Sequence, residues 1–251
     1  MNAPPIGIFQ NFPIPMVSRY LAQLGWDWII IDMQHGCFNF ETVYECIHTI
    51  RTCGAKPFVR VNIGGTSEIN RVLDLGAAGV VVPMVNSKAE AEATARAAKY
   101  PPRGGRSIGG DSWYHYGASY PVDANNDTIL LAQIEHIDAV TAVHDILAVD
   151  GIDGCFVGPT DLALSMGLPH VGFETDLPHR AAIKRTVDVC RALGKIAATN
   201  CYSLEDAEEK LDQGYQWITL RSDMDLFLDS ARSALSNLRH LAVTRAEAME
   251  R

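Results

Sequence analysis

The sequence predicts a (β/α)8 barrel. Three observations carry that expectation. Short apolar runs alternate with helical patterns eight times along the chain. The runs show no apolar–polar alternation, as expected for strands covered on both faces of a parallel sheet. The length, 251 residues, matches one such barrel, and no linker or composition shift divides it, so a single domain over residues 1–251 is expected. No GxGxxG follows the first strand, which argues against an open dinucleotide-binding sheet.

The elements follow in order. Ile6–Phe9 is a short apolar run, with a helix predicted over Pro15–Leu24. Trp26–Asp32 (WDWIIID) reads as a buried strand. Val43, Ile47 and Ile50 then fall at helical spacing over Phe40–Arg51, behind an Asn39 suited to the N-cap. Lys56–Val61 is the next strand and Thr66–Leu75 the next helix, closed by Gly76. Gly79–Met84 (GVVVPM) is a strand, and the Ala- and Glu-rich Ser87–Lys99 is helical. Thr128–Glu135, Asp153–Val157, Lys195–Ala198 and Trp217–Leu220 are the remaining strands. Helices are predicted over Ile137–Ala148, Ala181–Leu193, Leu204–Leu211 and Met224–Ala248. The one long irregular stretch, Tyr100–Asp127, reads as a functional lid.

Composition narrows the function. Hydrophobic residues make up 47% and charged residues 20%, ordinary for a globular enzyme. A net charge of -9 argues against nucleic acid or an anionic membrane as partner, while a local Arg still permits an anionic substrate. The first residues, MNAPPIGIFQNF, lack the basic and apolar regions of a signal peptide, and no apolar stretch reaches membrane-spanning length. Cys37, Cys46, Cys53, Cys155, Cys190 and Cys201 form no CxxC pair and read as reduced thiols of a cytoplasmic protein.

In a barrel, chemistry collects at the carboxyl ends of the strands. Reading those ends gives Asp32 with Gln34 and His35, then Arg60, then Gln133 and Glu135, then Gly158, Pro159, Thr160 and Asp161. Two carboxylates with the other positions left to water describe a site for a hard divalent cation such as Mg²⁺ or Mn²⁺. A planar guanidinium pairs with a carboxylate through two parallel hydrogen bonds. Exposed N–H groups at the Gly158–Asp161 turn suit an anion, and a His beside an Asp is a poised base. Each residue alone has a plainer reading. Glu135 is then a solvated strand end, Asp161 a helix cap, Arg60 a structural ion pair and His35 a packed core histidine. Their joint placement at one rim favours chemistry. No lysine stands at these strand ends, which favours metal over Schiff-base catalysis.

The blocks WDWIIIDMQHG, KPFVRVN, LDLGAAGVVVPMV, YPPRGGRSIGG, LAQIEH and DGCFVGPTDLALSMG resemble, in the same order, those of the class II hydroxy-ketoacid aldolases. That family includes 2,4-dihydroxyhept-2-ene-1,7-dioate aldolase, the 2-keto-3-deoxy sugar-acid aldolases and macrophomate synthase, on phosphoenolpyruvate/pyruvate-type barrels. The resemblance implies a divalent ion (Mg²⁺, Mn²⁺ or Co²⁺) on Glu135 and Asp161. It implies that Arg60 pairs with a 2-keto acid, that His35, oriented by Asp32, acts as base, and that Gln133 supports the site. Asp74, in VLDLG, matches a position that reaches a neighbouring subunit's site. Many sugar-acid aldolases carry Glu immediately before the histidine, where this chain has Gln34. That difference leaves short hydroxylated aldehydes and hydroxypyruvate-like donors open.

The implied reaction is reversible cleavage of a 4-hydroxy-2-keto acid to pyruvate or hydroxypyruvate and an aldehyde. A citramalyl- or malyl-thioester lyase and a non-catalytic keto-acid-binding barrel are the rival readings. A homo-oligomer is expected, by resemblance a hexamer built as a trimer of dimers. Within the terminal helix Leu228, Ala231, Leu235, Leu238 and Ala242 share one face. That stripe packs either on its own barrel or on another subunit.

Overall fold

The computed structural model describes residues 3–249. The outermost residues of the expected single domain, 1–2 and 250–251, lie outside them. Strands β1 (Ile6–Gln10), β2 (Trp28–Asp32), β3 (Lys56–Arg60), β4 (Gly79–Val82), β5 (Ile129–Ile134), β6 (Gly154–Val157), β7 (Ile196–Cys201) and β8 (Trp217–Ser222) close into a parallel barrel in sequence order. Helices α1 (Pro15–Gln23), α2 (Phe40–Thr52), α3 (Thr66–Asp74) and α4 (Lys88–Ala98) follow the first four strands. Two short helices, α5 (Gly110–Tyr116) and α6 (Tyr120–Asp127), precede β5. After β5 come α7 (Ile137–Thr141) and α8 (Val143–Leu147), and after β6 come α9 (Pro159–Ser165) and α10 (Leu177–Leu193). Helix α11 (Leu204–Gln213) follows β7 and α12 (Asp223–Met249) follows β8. The helix expected over Ile137–Ala148 is thus two pieces, interrupted at Ala142.

Strand periodicity explains both the core and the site. Along β2, Trp28 and Ile30 point into the barrel while Ile29 and Ile31 face the helices. Both sets are fully buried, so the strand reads as a continuous apolar run. Phe9, Trp28, Phe58, Val81, Leu131, Phe156 and Ala198 fill the interior. Trp28 meets Phe58 and Trp217 edge-on at 5.2 and 5.1 Å, the arrangement ring quadrupoles favour. Gly7 makes room for that tryptophan, since a Cβ there would stand 2.5 Å from the indole nitrogen. Two residues further along the same inward parity come Asn11, Asp32, Arg60, Gln133 and Asn200. The alternation that fills the core therefore delivers polar side chains to the barrel mouth.

The segment expected to be a lid is not one over its own barrel mouth. Helices run back against the strands, so the chain from Lys99 to Thr128 lies at the amino-terminal end. Buried Lys99 fastens it there, donating to the carbonyls of Asn125 and Thr128 at 3.1 and 2.9 Å. Arg106, buried beneath the Tyr100 ring, donates to Asp74 at 2.8 Å. Packing these charged groups, rather than covering the mouth, is what orders this long connection.

The last helix departs from barrel convention. Its first turns touch β1 and β8, and Phe227 packs edge-on to Phe12. Residues 231–249 are all exposed. Leu235, Leu238 and Leu241 therefore do not cover their own barrel, and the apolar stripe is left bare. Met16 and Tyr20 on α1, Leu24 just after it, and Leu204 on α11 are likewise exposed. Among the described residues no helix is long and apolar enough to cross a membrane.

Candidate active site

The carboxyl ends of the strands enclose a cleft of about 410 Å³. Asp32, His35, Arg60, Gln133, Gly158, Pro159, Thr160 and Asp161 all line it, and Glu135 adjoins it against Gly158 and Gln133. A larger cavity, about 720 Å³, lies between α10 and α11, walled mostly by solvated Lys, Arg, Asp and Glu. The barrel-mouth cleft is the chemical candidate, because the inward-facing polar residues of several strands converge there.

Arg60 and Asp32 form its best-defined pair. The guanidinium donates from Nε to Oδ1 at 2.9 Å and from Nη2 to Oδ2 at 2.8 Å. Its cationic carbon lies 4.8 Å from the Phe9 ring centre. Asp32 is almost wholly buried and also accepts from the Asn11 amide at 2.9 Å. The same carboxylate accepts the backbone N–H groups of Gln34 and His35, at 3.2 and 3.3 Å. This corrects the expectation that Asp32 orients the His35 ring. Asp32 instead holds the turn that carries His35, and the exposed imidazole projects from that turn.

Glu135, just past the end of β5, is 1% exposed. Its Oε1 accepts the Met84 backbone N–H at 2.9 Å, and its Oε2 accepts from the Gln133 amide. Met84 has φ 55°, an uncommon conformation for a residue with a side chain. The turn after β4 thus points an amide at the carboxylate. Gly158 is required by space, since a Cβ there would come 2.6 Å from Glu135 Oε2. Burial, and then the nearby charge of Asp161, raise the Glu135 carboxyl to about 7, against the weaker pull of the Met84 N–H, Arg60 and Gln133. Asp161, exposed in the first turn of α9, completes the acidic pair.

Two carboxylates that repel one another beside a solvent-filled cleft fit a hard divalent cation, with the remaining positions left to water and substrate. The buried Gln133 Oε1, which has no partner among the described residues, adds a free oxygen at the same spot. Among the described residues, no group of three or more His, Cys, Asp and Glu side chains is arranged as a metal cage.

Asp74 is not brought to this cleft. It ends α3 at the opposite end of the barrel, where Arg106 pairs with Oδ1 and Asn70 donates to Oδ2 at 3.3 Å. Ser112 seals the helix end by donating to the carbonyls of Leu73 and Asp74.

Residues 6–230 match the HpcH/HpaI aldolase/citrate lyase family. The hydroxypyruvate/pyruvate aldolase of Rhizorhabdus wittichii is 36% identical over 239 residues, covering 95% of each chain. This chain belongs to the HpcH/HpaI family. Among solved structures it is similar to the citrate synthase SbnG, with TM-score 0.87 and 28% identity, covering 96% of this chain and 95% of that one. It is also similar to macrophomate synthase, with TM-score 0.85 and 25% identity, covering 94% and 84%. The carbon–carbon lyase class and the barrel expected from the sequence are those of its family.

This HpcH/HpaI barrel also uses side chains that the sequence did not single out. Asn11 ties Asp32 to the β1 end. Buried Asp223 holds that same turn by accepting the N–H groups of Asn11 and Phe12 at 2.7 and 3.1 Å. His179, buried on α10, donates from Nε2 to the Pro159 carbonyl at 2.9 Å and so fixes the turn carrying Asp161. Arg221, at the end of β8, also lines the cleft. Inward parity along β1 was the available signal for Asn11, whereas Arg221 sits at an irregularity of β8 that breaks parity. His179 has none in the sequence, since only folding brings α10 against Pro159.

Proposed function

We propose that this chain catalyses reversible aldol cleavage of a 4-hydroxy-2-keto acid to pyruvate or hydroxypyruvate and an aldehyde. The observation that carries the reading is the convergence of the Glu135–Asp161 pair and the Asp32-held Arg60 on one barrel mouth. A divalent ion on Glu135 and Asp161 (Mg²⁺, Mn²⁺ or Co²⁺) would supply fixed positive charge to the carboxylate and keto oxygen of the bound acid. Arg60 presents its Nη1 side to that oxygen, because Asp32 occupies the Nε side. His35 takes the proton from the C4 hydroxyl. The C3–C4 bond breaks, the aldehyde leaves, and the electron pair passes into an enolate whose oxygen Arg60 stabilises. His35 then returns its proton to C3, which gives pyruvate and restores the base. Gln133 holds Glu135, and the N–H groups of the Gly158–Pro159–Thr160 turn border the acid.

The working form is a homo-oligomer. The bare stripe on α12 matches the bare flanks of α1 and α11, so a second copy's α12 completes the helix ring. By the family resemblance the assembly is a hexamer of three dimers, and Asp74 serves a neighbour's cleft. Six free thiols suit a reducing compartment such as the cytoplasm.

The test is coupled pyruvate release across a panel of 4-hydroxy-2-keto acids, with and without chelator. Metal-dependent release is expected. Full activity after exhaustive chelation would overturn the metal role, and turnover of malyl or citramalyl thioesters alone would overturn the aldol reading.

A further inference from the structure

We propose that Arg221 selects the aldehyde by charge, favouring partners that carry an anionic group away from the carbonyl. The inference rests on the aldol reading above.

Three observations place Arg221 in that role. The first is backbone geometry. Strand β8 pairs with β1 through Gly7 and Thr219 and then through Phe9 and Ser222, so β8 holds one extra residue across Leu220–Arg221. Arg221 has φ 55°, in the left-handed region that favours glycine. Besides Met84, it is the only non-glycine residue with positive φ among the described residues. A bulge re-aims a side chain, and strain of this kind persists where the surroundings over-determine it. Met84 already shows such a use, since its strained turn aims an amide at Glu135.

The second observation is position. Arg221 lines the β7–β8–β1 sector of the cleft, beside Asn200 and Ser222. The Arg60 and Glu135–Asp161 groups lie at β3, β5 and β6. A keto acid engaged there leaves the β8 sector for the aldehyde portion, where Asn200 and Ser222 suit hydroxyls and Asp225, which accepts from the Ser222 hydroxyl at 2.8 Å, also lines the wall.

The third is charge balance. Arg60 is neutralised within the cleft by Asp32. Arg221 is instead paired outside it, with Asp229 on α12 at 2.6 Å, and neither group is buried. Asp229 has a second cation, Arg232, at 3.4 Å. An exposed pair of this type is weak, and its carboxylate can exchange for one on a ligand. Arg221 is thus a second cleft guanidinium, beyond the one that meets the keto acid, whose present partner can give way to a substrate anion.

The experiment is aldol addition of pyruvate to succinic semialdehyde and to its methyl ester, a neutral analogue of similar shape, with the metal-loaded enzyme. The native chain should prefer the semialdehyde by roughly tenfold or more in kcat/KM, chiefly through KM. Arg221→Gly removes the charge and suits the backbone, and Arg221→Met keeps the side-chain bulk. Both should bring the ratio to about one. Asp229→Asn should keep the preference or increase it. An unchanged ratio in both Arg221 variants, or equal losses for both aldehydes in the Arg221 and Asp229 variants, would mean that Arg221 only pins α12, and would overturn the inference while the aldol reading stands. A native enzyme that adds pyruvate to neither aldehyde, and releases none from any hydroxy-keto acid, would overturn both.

Discussion

Asp32 grips Arg60 by its Nε and Nη2 atoms, at 2.9 and 2.8 Å, and leaves Nη1 without a partner among the described residues. The buried carboxylate thus fixes the plane of the guanidinium before any substrate arrives. Arg60→Lys keeps the charge but cannot make this two-point contact. We expect kcat/KM to fall by a factor corresponding to roughly 2–4 kcal/mol of transition-state stabilisation, as for loss of an oxyanion donor. Steady-state kinetics with a cleavable hydroxy-keto acid checks it, and near-native values would make the pair purely structural.

The metal hypothesis is best tested by an isosteric change. Glu135 is buried and receives two hydrogen bonds, so Glu135→Ala would leave the Met84 N–H and the Gln133 amide unpaired. Glu135→Gln retains the shape and loses the charge. It, and Asp161→Ala at the exposed rim, should abolish metal-dependent pyruvate release while circular dichroism stays native. Metal binding by calorimetry should be lost in the same variants.

The raised Glu135 carboxyl has a definite pH signature in metal-free protein. Between its ordinary value of 4.5 and about 7, the folded chain keeps this proton while the unfolded chain loses it. The group's contribution to stability is therefore most favourable below pH 4.5 and falls as pH rises to about 7. Above that the cost levels off at roughly 3 kcal/mol. Glu135→Gln should lack this decline, so the difference in denaturation midpoint between native protein and variant should widen from pH 5 to pH 8. Parallel profiles would contradict the shift.

Arg106 and Asp74 make a buried ion pair at the amino-terminal end of the barrel, with the Arg106 side chain fully enclosed. Arg106→Ala would leave the carboxylate uncompensated, and burial already raises the Asp74 carboxyl. A loss of about 3–5 kcal/mol is expected in chemical denaturation. Asp74→Asn keeps a hydrogen-bond acceptor for Arg106 and should cost less stability. If Asp74 serves a neighbour, that variant should still impair turnover. Subunit exchange with His35→Ala protein should then restore some activity. No rescue despite proven exchange would leave Asp74 a local residue.

The exposed stripe on α12 predicts assembly. Leu235→Asp with Leu238→Asp should shift the protein to smaller species in light scattering, with little change in the fold of the barrel. Unchanged mass would mean that this helix face is not an interface.

Much of the fold was legible because buried parallel strands leave uninterrupted apolar runs, as in WDWIIID, and because Asn39 and Pro159 stand at helix starts that local chemistry dictates. The rim residues Asp32, Arg60, Gln133, Glu135 and the Gly158–Asp161 turn were legible for the same reason, since strand parity and barrel topology assign them one end. What the chain does with Lys99–Thr128 was not. A long irregular stretch rich in glycine and proline reads as a functional lid. Its anchoring depends on where the buried Lys99 and Arg106 find carbonyls and a carboxylate, which are contacts between residues far apart in sequence. Periodicity likewise marked an apolar stripe on the last helix but could not say what it faces, because an amphipathic pattern fixes a helix face and not its neighbour. The roles of His179 and Asp223, the bulge that re-aims Arg221, and the grip of Asp32 on Arg60 rather than on the His35 ring were decided only by tertiary structure. Each depends on angles and distances of a few ångströms between separate elements, and local sequence does not encode them.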